Sequence, residues 1–65
     1  MQQNHVKEIR ESLLISKAEL ARLANISPLT VSRIENGYPC RMETMRKIIF
    51  ALGFKKEDKT KFFPE

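Results

Sequence analysis

The sequence predicts an all-α fold, a compact five-helix domain. Apolar residues recur at helical spacing along most of the chain, and no stretch shows the sustained alternation of a half-buried strand. The 2 glycines and 3 prolines fall at the starts and ends of the apolar segments. With 65 residues, 42% of them hydrophobic and 31% charged, the chain fits a single domain, residues 1–65.

The first predicted helix covers about residues 4–13. Asn4 is suited to cap its N-terminus, since asparagine oxygen accepts backbone N–H groups well. The apolar residues of this segment form one stripe along the helix: Val6, Ile9 and Leu13.

The second predicted helix begins at Ser16. Residues 16–19, SKAE, match a capping box, in which the serine hydroxyl accepts from the backbone N–H of Glu19 and the glutamate reaches back. Asn25 tolerates the left-handed conformation and ends the helix. The predicted stripe is Leu20, Leu23 and Ala24.

The third predicted helix, about residues 28–36, is short and has strong signals at both ends. Ser27 is the cap, Pro28 occupies the first turn, and Asn36-Gly37 ends the helix. Only Val31 and Ile34 clearly require a core. The opposite side therefore carries residues that need another partner: Leu29, Ser32, Arg33 and Asn36.

A loop containing Pro39 leads to a fourth predicted helix over about residues 42–52, which Gly53 stops. The remaining chain, residues 54–65, predicts a short fifth helix before Pro64. The stripe of the fourth helix is Met42, Met45, Ile48, Ile49 and Leu52.

Composition restricts the function. The net charge of +4 favours an anionic partner, although no basic tail is present. The single Cys40 excludes an internal disulfide, suits a reducing cytoplasm and is expected to be an unreactive loop residue. No apolar run is long enough to span a membrane, and the polar start, Met1-Gln2-Gln3-Asn4, is not a signal peptide.

No enzymatic activity is expected. The sequence has one histidine, no glycine-rich phosphate loop and no cluster of metal ligands. His5 is expected at the surface, and the carboxylates are scattered singly, whereas an active site needs several groups together. We therefore assign no catalytic residue, no metal, no cofactor and no small-molecule site.

The second and third predicted helices together form a helix-turn-helix pattern. They are joined by the three-residue turn Asn25-Ile26-Ser27, and the first carries the small Ala21 and Ala24, which allow close packing. In such a motif the second helix lies in the DNA major groove and its N-terminal residues reach base edges. Spacing alone does not distinguish this motif from other pairs of helices, but DNA would explain the outward face of the third helix.

The stretch SKAELARLANISPLTVSRIENG, residues 16–37, resembles the Cro/repressor-type helix-turn-helix family of phage and bacterial regulators, also called the xenobiotic-response-element family. The likeness extends over residues 6–54, through ETMRKIIFALGF, and AELA and IENG are its most specific parts. The resemblance implies sequence-specific binding of duplex DNA by a transcriptional regulator, with the recognition helix over about residues 28–36 in the major groove.

The resemblance also implies which residues contact DNA. The positions that match base contacts are Pro28, Leu29, Ser32 and Arg33, and those that match phosphate contacts are Ser16, Lys17, Ser27, Thr30 and Arg41. An arginine can bind guanine O6 and N7 with two hydrogen bonds, whereas a leucine offers only apolar contact to a thymine methyl group.

Four positions depart from the family pattern. Asn25 stands where the family often has glycine, and Cys40 stands where it often has proline, with Pro39 one residue earlier. This shift affects the loop that places Arg41. Pro28 and Leu29 replace polar amides found in many members, which predicts fewer hydrogen bonds to bases.

The alternative function is a protein-interaction module of the same fold, antitoxin-like or coactivator-like, whose main ligand is a partner protein. The cations and hydroxyls expected around Arg33, namely those of Arg41, Lys17, Ser16 and Ser27, favour DNA. A partner-binding surface would expose more apolar residues on this face than Leu29 alone. A steep loss of binding with rising salt distinguishes DNA.

Arg10 and Glu35 are predicted to form an ion pair between the first and third helices. Each lies about 65–70° from the centre of its helix's apolar stripe, so each is a charge at the edge of a buried face. The family pattern agrees with this pairing. The alternative is two independent solvated charges.

The phenylalanines of the C-terminal stretch are Phe50, Phe54, Phe62 and Phe63. In one outcome the tail folds back and buries Phe50 within the monomer. In the other, part of the cluster stays exposed and contributes to a weak homodimer that places two recognition helices on a palindromic operator. The expected location is the cytoplasm, in association with the nucleoid.

Overall fold

The structure is a computed structural model that describes residues 4–64, so that Met1-Gln2-Gln3 of the polar start and Glu65 lie outside the described residues. The described chain forms helices and no strand, and the predicted all-α, five-helix fold is confirmed. None of these helices is long and apolar enough to cross a membrane. The elements are α1 (Val6–Ser12), α2 (Lys17–Ala24), α3 (Pro28–Glu35), α4 (Met42–Ala51), a 3₁₀ turn (Lys56–Asp58) and α5 (Lys59–Phe62).

Short polar side chains accept backbone N–H groups at the start of the first three helices, although the N-cap residue of α1 is His5 and not the predicted Asn4. Each accepts a first-turn backbone N–H at 3.1 Å: Asn4 from Val6, Ser16 from Glu19 and Ser27 from Thr30. These bonds satisfy N–H groups that have no partner inside the helix. The predicted capping box is only half formed, because the Glu19 carboxylate lies 3.8 Å from the Arg22 guanidinium.

Each of the four longer helices ends at a left-handed residue: Leu14 (φ 59°), Asn25 (φ 58°), Gly37 (φ 92°) and Gly53 (φ 84°). At the end of α1 the N–H of Leu14 donates to the Glu11 carbonyl at 3.0 Å, and that of Ile15 donates to the Arg10 carbonyl at 3.2 Å. The same pair of bonds recurs in α2, α3 and α4, and it is the Schellman motif. The ends of α2, α3 and α4 match the sequence prediction. Nothing in the local sequence predicts a left-handed leucine at the end of α1.

The core forms where all five helices meet, and α2 packs against both α3 and α4. Most positions of the predicted stripes are buried there. The buried apolar residues are Val6, Leu20, Ala21, Ala24, Val31, Ile34, Ile48, Ile49, Leu52, Phe62 and Phe63.

Three predicted stripe residues are exposed, and their assignment to the core is wrong: Leu13, Leu23 and Met42. Leu13 follows the last residue of α1, where the helical direction is lost. The buried face of α2 is centred between Leu20 and Ala21, because the small alanines admit α3, and Leu23 falls beside that face. Met42 is the first residue of α4 and lies at the edge of the molecule.

Arg10 and Glu35 pair across α1 and α3. The Arg10 Nε donates to Glu35 Oε2 at 2.7 Å, and Nη2 donates to Oε1 at 3.3 Å. Arg10 Nη1 also donates to the Ile15 carbonyl at 2.7 Å, which ties the α1–α2 loop to the same contact. The two side chains are only 8% and 3% exposed. The hydrogen bond from Arg10 to Glu35 raises the pKa of the guanidinium above its ordinary value.

The C-terminal tail folds back into the core, but it does not cover Phe50. Phe62 and Phe63 are buried, and Phe54 is half-buried with its ring edge-to-face on Phe62 at 5.1 Å between centroids. The His5 N–H donates to the Phe62 carbonyl at 2.8 Å, so the two ends of the described chain meet.

This arrangement contradicts the first outcome, in which the tail buries Phe50, and it limits the second outcome to the part of the cluster that stays exposed. Phe50 remains 52% exposed, so it is not buried by the other phenylalanines. Phe62 and Phe63 lie inside the monomer, because α5 turns their rings toward the core, and they are not available as dimer contacts. Of the four, Phe50 is the exposed ring and Phe54 is partly accessible.

Candidate nucleic-acid interface

The turn between α2 and α3 sets the direction of α3. Asn25 adopts the left-handed conformation, and the Ile26 N–H donates to the Ala21 carbonyl at 2.9 Å. Ala21 and Ala24 are buried against α3, and their small side chains let the two helices approach closely. The observed geometry is that of a helix-turn-helix over residues 17–35.

The outer face of α3 is open to solvent. Val31 and Ile34 point into the core, which leaves Pro28, Leu29 and Arg33 exposed. Leu29 is 60% exposed, so no neighbouring helix covers it. Ser32 is half-buried.

Arg33 and Arg41 line the same open groove beside the end of α3. Thr30 lies on its wall, so three of the residues expected to contact DNA come together there. The remaining lining residues are Ile34, Tyr38, Pro39, Cys40 and Thr44. Two exposed guanidinium groups at one groove form a positive surface with hydroxyl groups beside it, which suits a phosphate-bearing ligand.

The N-terminus of α4 opens at this groove. Arg41 is its N-cap residue and provides no side-chain hydrogen bond to the first-turn N–H groups. Those N–H groups carry the positive end of the helix dipole and can donate to an anionic oxygen. The charge of Arg41 adds to the same effect.

Ser27 and Thr30 act as a unit at the start of α3. Their hydroxyl oxygens are 2.8 Å apart, and Ser27 also caps the Thr30 N–H. Ser16 and Lys17 are exposed at the N-terminus of α2 and do not line the groove shared by Arg33 and Arg41. The structure thus brings together three of the residues expected at DNA, namely Thr30, Arg33 and Arg41, at the groove. The others lie outside its lining, on α3 and its N-cap or at the start of α2: Ser27, Pro28, Leu29, Ser32, Ser16 and Lys17.

Sequence reasoning missed two polar residues of the groove, Tyr38 and Thr44. Tyr38 is half-exposed, and its N–H donates to the Arg33 carbonyl at 3.0 Å, which fixes its backbone beside the end of α3. Thr44 follows Arg41 by three residues, on the side of α4 away from the apolar stripe. This spacing from Arg41 is the one feature of the sequence that could have indicated Thr44.

Cysteine and histidine side chains are common in catalysis, and the structure describes the surroundings of both Cys40 and His5. Cys40 is half-buried, and burial raises the pKa of its thiol, which keeps the sulfur protonated and a poor nucleophile. His5 Nδ1 lies 2.8 Å from Glu8 Oε2 on the surface, and this hydrogen bond lowers the pKa of Glu8. Within residues 4–64, no group of three or more histidine, cysteine or carboxylate residues could hold a metal ion.

Comparison with models of protein families identifies a match. The family model described as helix-turn-helix matches residues 6–58. No curated protein matches the chain at a significant level. The matched region includes α1 to α4 and the 3₁₀ turn, and therefore all the residues around the groove.

Proposed function

The chain belongs to the Cro/repressor-type helix-turn-helix family, and from this premise we propose that it is a transcriptional regulator that binds duplex DNA sequence-specifically. Residues 1–65 act as a single DNA-binding domain, and α3 enters the major groove. Its place of action is the cytoplasm, at the nucleoid. It requires no cofactor and carries out no catalysis.

The observation that carries this proposal is the position of Arg33 and Arg41 at one open groove. Arg33 projects from the outer face of α3, where it can reach a base edge. Arg41 stands at the uncapped start of α4, where it can reach the phosphate backbone beside the same base pairs. The pair therefore divides recognition between a base and the backbone.

The other proposed contacts follow the same division. Pro28, Leu29 and Ser32 accompany Arg33 at the bases, and Leu29 gives an apolar contact to a thymine methyl group. The proposed phosphate contacts are Ser16, Lys17, Ser27, Thr30 and Arg41. Hydroxyl, ammonium and guanidinium groups of this kind position a protein on DNA without reading its sequence.

A palindromic operator bound by a weak homodimer is part of the proposal. The longest extent of one protomer is 26 Å, whereas half-sites one helical turn apart are separated by about 34 Å. One copy therefore covers one half-site. Two copies related by a two-fold axis would read a palindrome, and the exposed Phe50 is the candidate contact between them.

The test begins with selection of a preferred site from random duplexes, followed by affinity measurements on that site and on a scrambled duplex. Arg33→Ala should weaken binding to the preferred site by about 1–3 kcal/mol and affect the scrambled duplex far less. Arg41→Ala and Lys17→Ala should weaken both duplexes alike and each reduce the salt slope by about one unit.

Lys7→Ala is the matched control, because it removes one exposed cation from α1, outside the proposed interface. It should leave the salt slope nearly unchanged. Equal losses on both duplexes for Arg33→Ala would make Arg33 a phosphate contact, and failure to select any site would contradict sequence-specific binding.

A partner protein as the main ligand is the second candidate. Leu29 and Tyr38 are both largely exposed near the groove, which gives that face more apolar surface than the sequence indicated. Binding to such a partner would fall only modestly between low and high salt, whereas DNA binding falls steeply. The two candidates therefore separate in a single salt titration.

A further inference from the structure

The outer face of α3 has an apolar side chain at its centre. Val31 and Ile34 are buried and define the inward direction of this short helix. At about 100° per residue, Leu29 lies within about 10° of the opposite, outward direction. Leu29 is also 60% exposed, so most of its surface meets no other part of the described fold. When α3 enters the major groove, Leu29 is therefore the side chain that faces the base edges most directly.

Two polar side chains flank Leu29, one on each side. Ser32 and Arg33 each lie about 50° from the outward direction, and as residues i+3 and i+4 they are neighbours of Leu29 on the helix surface. Arg33 is exposed and Ser32 is half-buried. The centre of the proposed base-contacting surface thus consists of an isobutyl group, a hydroxyl group and a guanidinium group.

The base edges in the major groove offer one kind of apolar group. This is the methyl group on C5 of thymine, whereas the other groups are hydrogen-bond donors and acceptors. A leucine placed against a donor or an acceptor removes that group from water without replacing the lost hydrogen bond, which is unfavourable. The group that matches Leu29 is therefore a C5-methyl group.

A C5-methyl group is not confined to thymine. 5-Methylcytosine carries the same methyl group at the same ring position. The two bases differ beside it, where thymine has the O4 acceptor and cytosine has the N4 amino donor. A serine hydroxyl both donates and accepts hydrogen bonds. Ser32 can therefore donate to O4 or accept from N4, while Leu29 contacts the methyl group in either case.

Arg33 relates the position of this base to that of a guanine. An arginine binds O6 and N7 of guanine with two hydrogen bonds. Leu29 and Arg33 are separated by about 6 Å along the helix axis, and stacked base pairs are separated by about 3.4 Å. We therefore expect the guanine within about two base pairs of the methylated pyrimidine.

We propose that α3 reads the C5-methyl group of a pyrimidine, and that 5-methylcytosine serves in place of thymine at this position of the operator. Leu29 contacts the methyl group, Ser32 bonds to O4 or N4 of the same base, and Arg33 binds the guanine. This inference rests on the proposed function, and it adds that binding depends on a methyl group more than on the identity of the base pair. Methylation of a cytosine at this position therefore strengthens binding.

The test starts from the preferred site selected from random duplexes. Each thymine of that site is replaced in turn by uracil, which lacks only the methyl group. One thymine in each half-site should be sensitive, with about fourfold weaker binding of the uracil duplex. This factor corresponds to the roughly 0.8 kcal/mol of one buried methyl group.

The guanine is located in the same way with 7-deazaguanine, which lacks the N7 acceptor. One guanine within about two base pairs of the sensitive thymine should weaken binding when it is replaced. The same replacement should have no effect on Arg33→Ala, because that variant no longer donates to N7.

Four duplexes then separate the methyl group from the base pair. They carry thymine, uracil, cytosine or 5-methylcytosine at the sensitive position, each opposite its Watson–Crick partner. The chain should bind the thymine duplex about fourfold more tightly than the uracil duplex, and the 5-methylcytosine duplex about fourfold more tightly than the cytosine duplex. Each comparison changes only one methyl group.

Leu29→Ala should remove both differences, with nearly unchanged melting because Leu29 is exposed. Leu14→Ala is the matched control, since it shortens another exposed leucine outside α3. It should keep both differences.

Three results would overturn the proposal and leave sequence-specific binding intact. No uracil replacement in the selected site weakens binding, or Leu29→Ala keeps both differences. Alternatively, the thymine duplex binds more tightly than the uracil duplex while 5-methylcytosine and cytosine bind alike, which ties binding to the thymine–adenine pair. Failure to select any site would contradict the proposed function and this inference together.

Discussion

Arg10 is the charged residue that the described fold buries. The stability of the fold depends on all the hydrogen-bond partners of this side chain. The guanidinium satisfies both Glu35 oxygens and the Ile15 carbonyl. Because the ion pair is almost completely removed from water, the loss of one partner leaves an uncompensated charge or an unsatisfied donor in the core.

Arg10→Met and Glu35→Gln should each lower the free energy of unfolding by about 3–5 kcal/mol, measured by urea denaturation. A domain of this length has only about 3–10 kcal/mol in total, so either variant should be close to unfolding. Glu43→Gln is the control, because it breaks an exposed ion pair with Lys47 and should cost about 0–1 kcal/mol. Equal small losses in all three variants would contradict the clamp between α1 and α3.

Leu14 carries backbone strain without compensating burial. It adopts φ 59° as the residue that ends α1, and it is 92% exposed. Leu14→Gly should raise the free energy of unfolding by about 0.5–1 kcal/mol, since glycine removes the left-handed penalty but gains freedom in the unfolded chain.

Gly53→Ala is the reverse change, at φ 84°. A Cβ there would meet no atom within 4 Å, so any loss comes from the backbone alone and should be about 1 kcal/mol. Thermal melts of Leu14→Gly and Gly53→Ala test these two expectations. A Leu14→Gly variant that melts below the unchanged chain would show that the leucine has a contact or role that its exposure does not reveal.

At the scale of elements, the short 3₁₀ turn determines whether α5 reaches the core. Asp58 Oδ2 accepts the Lys55 backbone N–H at 3.0 Å, and Asp58 Oδ1 lies 3.2 Å from Lys61 Nζ. These contacts close the turn that aims Phe62 inward. The bond from the Lys55 backbone, with that from Lys61, lowers the pKa of Asp58 below its ordinary value.

A carboxylate with a lowered folded pKa stabilises the fold above its unfolded pKa, and this contribution disappears as the pH falls through the folded pKa. We therefore expect acid to loosen the tail before the remaining core. In NMR titrations from about pH 6 to about pH 2, the Phe62 ring signals should move earlier than the Val31 methyl signals.

Asp58→Asn should show the loosened tail already at neutral pH, whereas Glu8→Gln, which removes the other carboxylate with a lowered pKa, should not. Simultaneous movement of both sets of signals in the unchanged chain would mean that the tail and core unfold as one unit.

At the scale of the whole molecule, the exposed Phe50 bears on self-association. Its ring is 52% exposed, so Phe50→Lys should change the melting temperature little. It should abolish cooperative binding to a duplex with two half-sites and retain binding to one half-site. The physical reason is that a two-fold contact would bring the two introduced lysines close together, and their like charges would repel.

Thr60→Lys is the matched control for that experiment, because it adds a positive charge at an exposed position of α5. It should leave cooperativity intact. A marked loss of stability in Phe50→Lys would give the ring a structural role, and unchanged cooperativity would exclude it from the dimer contact.

The sequence by itself determined the helices and most of their ends. Caps such as Ser16 and Ser27 act within one turn, so their chemistry is readable locally, and the family motif over residues 16–37 predicted the order of the helices. Local signals failed at Leu14, because the left-handed region is unfavourable for leucine, and the residue adopts it within the backbone hydrogen bonds that end α1.

Only the tertiary structure decided which faces are covered. Phe62 enters the core while Phe50 stays exposed, because the tail crosses one side of α4 and not the other. The common groove of Arg33 and Arg41 depends on the path of the loop through Pro39. These features arise from contacts between residues distant in the chain, and helical spacing fixes directions around one helix without fixing which neighbour will lie there.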